Sequence, residues 1–160
     1  MRKSEGSPNA PYIECINPRK GTWRVRFNVE RKEDSATWLE HDFDHRPTTE
    51  EVRGVYVDYV NSVVDESILM GLTYEGHMVW LSAENQLNYK AAHDLAVQTN
   101  GTNLPIRFKL GTTDDPYYVN FTTVSDLTKF YSLLVWHVQQ CIERGWQQKD
   151  SFDAAAYQIG

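Results

Sequence analysis

The sequence lacks several features that would assign a protein to a class at once. Its 160 residues include only two cysteines, and its nine glycines are scattered singly, so no glycine-rich phosphate-binding loop is present. No apolar run approaches the roughly 20 residues that a membrane-spanning helix needs, and the first residues lack the apolar core of a signal peptide. A disulfide framework, a membrane span and nucleotide binding through a P-loop are therefore not expected.

The two cysteines lie in different kinds of predicted element. Cys15 is in a strand-like run, and Cys141 is on the apolar face of a predicted helix. Free cysteines are among the most buried residue types. Both are therefore predicted to be small buried hydrophobic residues, and a reducing compartment is compatible with them.

The chain also has little positive charge. Its formal net charge is -6 and its pI is about 5.3. Basic residues cluster only between residues 19 and 32, where acidic residues dilute them from Glu30 onward. A general phosphate-binding surface needs clustered lysine and arginine. Nucleic acid is therefore not expected as a partner, and the basic cluster is interpreted as a solvated strand face.

Aromatic residues, in contrast, are abundant, with five Trp, nine Tyr and six Phe. Such side chains bury large areas, so most of them are expected in a well-packed core. Aromatic residues near turns or element ends are instead candidate anchors for a partner protein. The candidates are Trp80, Tyr117, Tyr118, Trp146 and Tyr157. Core packing is the alternative for each one taken alone.

Periodicity predicts an α+β fold with antiparallel strands and three main helices. Residues 23–29 alternate apolar and polar side chains, which is the clearest strand pattern in the chain. Runs of strands, rather than single strands, precede the helices, so a doubly wound parallel sheet is not expected. The order of elements leaves open whether they form two small sheet-plus-helix lobes.

The elements group into four predicted segments. Residues 1–10 are polar and are predicted to be a disordered arm. Residues 11–72 are predicted to form an N-terminal βββα lobe, and residues 73–150 a C-terminal α+β lobe. Residues 151–160 are predicted to be a polar tail.

Serine and threonine residues mark the predicted helix starts. The predicted caps are Thr48 with Glu51, Ser82, and Thr123 with Asp126. Glycine tends to follow a helix end because it adopts left-handed backbone angles without a steric penalty. The first helix is therefore predicted to end at Gly71 and the last at Gly145.

The most metal-like string is HDFDH at residues 41–45. On a strand, His41 and His45 point the same way but lie roughly 13 Å apart, too far to share an ion without a bend. Asp42 and Asp44 point to the opposite face. The string is therefore interpreted as a strand edge near a loop.

Other polar groups give no catalytic constellation. Asp114 and Asp115 lack the oxygen-donor spacing of a calcium loop and suit a hairpin turn. His93 and His137 lie on predicted helices without a serine or cysteine nucleophile signature. We therefore expect a protein that is not an enzyme and that uses no metal or other cofactor.

Several stretches carry a resemblance to a known family. They are VWLSAENQLNYKAA at residues 79–92 and LPIRFKLG at residues 104–111, with Phe130-Tyr131 and Gly145-Trp146 downstream. Over residues 74–150 the chain resembles a domain of unknown function found in phage and prophage proteins of gut anaerobes. In that family a tryptophan-led strand precedes a helix, and a hairpin and a last helix follow. Residues 12–26 also resemble partners of this domain.

The resemblance implies a gene near a tail or virion module, and hence a structural, tail-fibre assembly or chaperone-like protein. Its implied partners are other phage structural proteins or a second copy of itself, and its implied location is the virion or the host cytoplasm. The alternative, with which the acidic charge is compatible, is a small regulatory or host-interaction protein that inhibits a host enzyme.

Overall fold

The computed structural model describes residues 1–158, and within them it contains eight strands, three α-helices and one short 3-10 helix. The strands are β1 (Arg2–Gly6), β2 (Ile13–Asn17), β3 (Thr22–Arg31), β4 (Ala36–Phe43), β5 (Leu72–Tyr74), β6 (His77–Val79), β7 (Ile106–Gly111) and β8 (Pro116–Phe121). The helices are α1 (Thr49–Met70), α2 (Ala83–Gln98) and α3 (Val124–Asp150). All strand pairs are antiparallel, so the predicted α+β fold is confirmed.

The described residues form two compact units, and the divisions fall within α1 and within α3. The first unit comprises Met1–Asn61 and the residues from Gln148 onward, and the second unit comprises Ser62–Gln147. This division differs from the predicted boundary after residue 72. The reason is that α1 serves both units, with Tyr56 in the core of the first and Ile68 against the core of the second.

The first unit is built on a four-stranded antiparallel sheet with the strand order β1-β4-β3-β2. The ten-residue strand β3 pairs with both β2 and β4. Its register with β4 sets Trp23 opposite Phe43 and shifts between Phe27 and Glu30. Asn28 lies in this bulge with a φ of 50°, in the left-handed region that asparagine tolerates.

The prediction of a disordered arm over residues 1–10 is wrong for β1. Its sequence RKSEG has no apolar alternation, but its backbone pairs with β4 in a register that sets Arg2 opposite Glu40. The strand also passes close to an aromatic ring, because a Cβ on Gly6 would lie 2.8 Å from the Trp38 ring. Backbone pairing and a glycine that admits this ring therefore order a segment that is polar in sequence.

Rings from a strand, a helix and the chain end form the core of the first unit. The Phe27 ring lies 5.6 Å from the rings of both Tyr56 and Tyr157. The Phe152 ring stacks on Tyr157 at 5.2 Å, and the Tyr157 hydroxyl donates to the Arg26 carbonyl oxygen at 3.0 Å. Part of the predicted tail is therefore a 3-10 helix, Ala154–Tyr157, that belongs to this core. Residues 159 and 160 of that tail lie outside the described residues.

The second unit contains two hairpins, β5–β6 and β7–β8, together with α2 and parts of α1 and α3. Its buried cluster consists of Val79, Leu81, Tyr89, Ala92, Ala96, Phe108, Leu110, Phe121, Leu127, Phe130 and Leu134. The Phe130 ring lies between 5.1 and 5.3 Å from the rings of Tyr74, Tyr89 and Phe121. Phe130 therefore joins residues of α2 and of both hairpins in one aromatic core.

The predicted helix starts are confirmed by their hydrogen bonds. The Thr48 hydroxyl accepts from the Glu51 N–H at 3.3 Å, and the Glu51 carboxylate accepts from the Thr48 N–H at 2.7 Å. The Ser82 hydroxyl likewise accepts from the Asn85 N–H, and the Thr123 hydroxyl accepts from the Asp126 N–H. The prediction that Gly145 ends the last helix is wrong, since this glycine is buried within α3 and the helix continues past it.

Candidate functional site

The structure separates the aromatic residues that were predicted as partner anchors. Trp80, Tyr118 and Trp146 are exposed, by 40, 46 and 55% respectively, and Tyr117 is half-buried. The prediction is wrong for Tyr157, which is only 8% exposed. The 3-10 helix turns its ring into the core of the first unit, and this burial raises the pKa of its hydroxyl. Tyr157 is therefore a core residue rather than a surface anchor.

Tyr117 and Tyr118 both make contacts within the second unit. The Tyr117 ring stacks on the His77 ring with centroids 4.0 Å apart, and its hydroxyl donates to the Glu75 carboxylate at 2.5 Å. This hydrogen bond, together with burial, raises the pKa of Tyr117. The Arg107 guanidinium lies 4.1 Å from the Tyr118 ring centroid. These rings therefore already have partners within the two hairpins.

Trp80 and Trp146 have exposed rings, but only Trp80 lies at an element end, because α3 continues past Gly145 and contains Trp146. Trp80 follows β6 and borders a shallow hollow with Met78 and Thr112, and its carbonyl oxygen accepts from the Asn85 side-chain amide at 2.8 Å. Trp146 lies near the end of the second unit on α3. Each is a single exposed ring, which is common on protein surfaces and does not by itself define a binding site.

A larger apolar surface, which the sequence pattern did not indicate, lies on α2 and α3 of the second unit. Its most exposed side chains are Leu87, Leu133, Val135 and Trp136, with exposed fractions of 68, 46, 48 and 64%. Tyr131 is half-buried and lines the grooves between them. We call these five residues the α2–α3 surface.

The α2–α3 surface is continuous because its grooves share residues. One groove lies between α2 and α3 and is lined by Leu87, Tyr131 and Val135. The next is lined by Tyr131, Val135 and Trp136, and the third by Leu133 and Trp136. Contiguous exposed apolar surface of this kind marks sites where proteins bind other proteins or ligands, whereas scattered exposed apolar residues need no such explanation.

The residues of this surface on α3 alternate in sequence with the core residues of that helix, so the sequence pattern alone does not separate the two sets. The buried residues of α3 include Leu127, Phe130 and Leu134 at helical spacing. Leu133 and Trp136 are also three residues apart, so they are neighbours on the helix, but on its exposed side. The helix therefore has apolar residues on two sides, one buried in the core and one exposed.

Charged side chains lie at the margins of the α2–α3 surface. Lys90 forms an ion pair with Asp94 on α2, and this pairing holds the pKa of Asp94 below its usual range. On α3, Lys129 lies 3.4 Å from the Asp126 carboxylate. An apolar centre with a charged rim is the usual composition of a protein–protein interface.

The HDFDH string is engaged in local contacts of the first unit. The rings of His41 and Phe43 lie 4.8 Å apart. His45 contacts the carboxylates of Asp44 at 2.8 Å and Glu51 at 3.0 Å, which raise its pKa. Among the described residues, no group of three or more His, Cys, Asp and Glu side chains is arranged to hold a metal ion.

His137 and Cys141 are packed side by side within the second unit. A ring nitrogen of His137 lies 3.0 Å from the Ser67 carbonyl oxygen and 3.6 Å from the Cys141 sulfur. Both side chains are buried, as predicted for Cys141, whereas the same prediction is wrong for Cys15, which is only half-buried. The imidazole therefore joins α1 to α3, and the buried thiol is not accessible as a nucleophile.

Comparison of this chain with family models, with curated proteins and with solved structures gives no match. None of the helices described in residues 1–158 is both long and apolar enough to cross a membrane. The phage and prophage resemblance stays a prediction.

Proposed function

We propose that this protein is a non-enzymatic structural or assembly component of a phage or prophage particle, in its tail, fibre or another virion-associated part. It acts through protein–protein contacts, and the α2–α3 surface is its principal contact site. The observation that carries the proposal is the continuous exposure of Leu87, Leu133, Val135 and Trp136 on one unit of an otherwise acidic chain. The resemblance of residues 74–150 supports the assignment to a particle.

The physical argument for a contact site is the favourable free energy of removing these apolar side chains from water. Burying an exposed large apolar side chain contributes about 1.5–3 kcal/mol when water is excluded from it. Trp136 has the largest ring of the α2–α3 surface, and tryptophan is among the residues that most often dominate binding energy. Burial of Trp136 and Leu133 by a partner would therefore contribute favourably to the free energy of binding.

The test is association with particles from the strain that carries this gene. Particles purified by density gradient are expected to contain the protein, and the variant Trp136→Glu is expected to be depleted from them at least about tenfold. Leu95→Glu is the matched control, since Leu95 is an exposed apolar residue of α2 that lines none of the three grooves. Wild-type protein that is absent from particles and bound to no particle protein would overturn the proposal.

A second outcome of the same experiment distinguishes the alternative. A small acidic inhibitor of a host enzyme is compatible with the net charge of -6. Such a protein would be absent from particles and would co-purify with one host enzyme in a stoichiometric complex. Loss of that enzyme's activity on adding the purified protein would then favour the inhibitor over the particle component.

A further inference from the structure

A stripe of five side chains runs along the exposed side of α3 within the second unit. The stripe is Lys129, Leu133, Trp136, Gln140 and Glu143. Its spacing alternates between four and three residues, which is the spacing of contact positions in helices that pack side by side. The first three side chains are exposed and the last two are partly exposed. The stripe is therefore accessible and has the pattern of a helix-packing seam.

The charges of the stripe are symmetric in position and opposite in sign about Trp136. Lys129 lies seven residues before Trp136, and Glu143 lies seven residues after it. If a second α3 packs antiparallel with Trp136 opposite Trp136, Lys129 of each copy lies opposite Glu143 of the other. A parallel copy sets like charges opposite each other. The stripe is thus complementary in charge to an antiparallel copy of itself.

From this self-complementarity we infer that the stripe is a homodimer interface, in which two copies of α3 pack antiparallel about a twofold axis at Trp136. The inference rests on the proposed function, because it names a second copy of the chain as the partner of Leu133 and Trp136, the two residues that the stripe shares with the α2–α3 surface. A twofold interface uses the same patch on both copies and must be complementary to itself. A foreign partner has no need of opposite charges at equal distances from a central ring.

The surroundings of Trp136 suit this packing. Its ring borders a groove that is also lined by Thr128, Ser132 and Leu133. Thr128 and Ser132 are small and precede Trp136 by eight and four residues, so they lie on the same side of the helix. A small residue one turn away leaves room beside a large ring, and in the antiparallel pair the ring from the second copy enters that room.

The charged ends of the stripe have only weak contacts within their own chain. Lys129 pairs with Asp126 at 3.4 Å, and both of these side chains are solvent-exposed. Glu143 accepts from the side-chain amides of Gln139 at 3.2 Å and Gln140 at 3.5 Å. Exposed ion pairs contribute little, and an amide does not neutralise a carboxylate. Both charges are therefore able to pair across the interface.

The first test is sedimentation equilibrium of the full chain over a wide range of concentrations. The wild-type protein is expected to dimerise, with a Kd that rises as salt is added because the charge pairs are screened. Trp136→Ala is expected to raise the Kd on the order of 100-fold, since the ring is lost from both copies. Leu95→Ala is expected to leave it unchanged. Circular dichroism verifies that each variant keeps the wild-type helix content.

The second test uses charge reversal to determine the orientation of the two helices. Lys129→Glu alone and Glu143→Lys alone each place two like-charged pairs across an antiparallel interface, and each is expected to weaken dimerisation about tenfold. The double variant and an equimolar mixture of the two single variants both restore opposite pairs, so both are expected to recover wild-type affinity. If neither the double variant nor the mixture recovers wild-type affinity, the two helices do not pack antiparallel.

The outcomes separate this inference from the proposed function. A chain that stays monomeric at every concentration overturns the homodimer. If Trp136→Glu still abolishes particle association in that case, the α2–α3 surface binds another particle protein and the proposed function stands. If the chain dimerises as described but is absent from particles and from complexes with particle proteins, the dimer stands and the proposed function fails.

Discussion

The two units of this protein are built on different balances of forces. The first unit buries two charged residues, Arg26 and Glu40, within its sheet. The second unit buries an aromatic and aliphatic cluster, and His137 is the buried polar residue within its described part. The first unit therefore combines an aromatic core with hydrogen-bonded buried charges, whereas apolar packing dominates the second unit.

The surfaces of the two units also differ, and the second unit again is the more apolar. Among the described residues of the first unit, the exposed large hydrophobic residues are Met1 and Ile16. Those exposed in the second unit are Met70, Trp80, Leu87, Leu95, Val97, Tyr118, Leu133, Val135, Trp136 and Trp146. The second unit therefore carries more apolar surface than its own core uses. This surplus is why the proposed contact site lies in that unit.

The largest expected effect concerns the core of the second unit. Phe130→Ala removes the ring that contacts Tyr74, Tyr89 and Phe121 and leaves a cavity. It should lower the free energy of unfolding of this unit by about 3–5 kcal/mol. Amide hydrogen exchange is the measurement, because it reports on each unit separately. Protection is expected to fall more in β7 and β8 than in β3 and β4, and equal loss in both units would contradict the division.

The control for the cavity is an exposed apolar residue of the same unit. Leu95 is an exposed leucine on α2, so Leu95→Ala removes a side chain of similar chemistry without opening a cavity. It should change the free energy of unfolding by less than about 0.5 kcal/mol. A large effect of this control would mean that Leu95 packs against something other than solvent.

The next effect concerns the charge network of the first unit. Glu40 accepts from the indole nitrogen of Trp38 at 2.9 Å and from the Arg2 guanidinium, and it lies 3.6 Å from Arg24. Burial alone would raise the pKa of Glu40, but these donors outweigh burial and hold the pKa below its ordinary value of 4.5. Glu40→Gln should destabilise the first unit by about 1–3 kcal/mol at pH 7, because it removes a charged acceptor from a buried network.

The same network predicts a pH dependence that differs between the units. Because the folded pKa of Glu40 is lowered, its contribution is fully present above 4.5 and is lost as the pH falls through the folded pKa. Asp42, with its pKa lowered mainly by Arg24, adds a loss in the same direction. Hydrogen exchange between pH 7 and pH 3 should therefore show a larger loss in β3 and β4 than in β7 and β8. Glu40→Gln should reduce this difference, whereas Glu33→Gln, at an exposed position, should not.

The sequence predicted those features of each unit that depend on residues close together in the chain, and missed those that depend on contacts between distant residues. Local signals were sufficient for the helix starts, because a cap such as Thr48 with Glu51 depends on residues three apart. The strand β1 was missed because its order comes from backbone pairing with β4 and from contacts of Gly6 with Trp38, which are distant in sequence. The apolar periodicity of a segment does not show which distant strand it pairs with.

The candidate site was missed for a related reason. An apolar residue on a helix fits the core stripe or a second stripe, and only the tertiary structure shows which side is covered. Leu133 and Trp136 lie beside the core residues Phe130 and Leu134 in sequence but are exposed. In the opposite direction, Tyr157 lies in the segment that was predicted to be a polar tail and is nevertheless buried, because the 3-10 helix turns its ring into the core of the first unit. Exposure at such positions is set by contacts between distant segments.

The smallest effect compares two helix caps of the same chemistry, one in each unit. The Thr48 hydroxyl accepts from the Glu51 N–H at 3.3 Å and donates to its carboxylate at 2.9 Å, while Thr123 does the same for Asp126 at 3.1 and 2.8 Å. Thr48→Ala and Thr123→Ala should each cost about 1 kcal/mol. Equilibrium denaturation at pH 6 measures both, and Ser at either position should restore most of the loss.

The two caps should nevertheless respond differently when the pH is raised from 6 to 8. Glu51 also binds His45, and the pKa of His45 is raised by Asp44 and Glu51, so this pairing stabilises below 6.5 and is lost as the pH rises through the folded pKa. Asp126 pairs instead with a lysine, Lys129, rather than with a histidine. The effect of Thr48→Ala should therefore change with pH while that of Thr123→Ala stays constant. In the His45→Gln background the two should behave alike, and an unchanged pH response there would show that His45 is not its source.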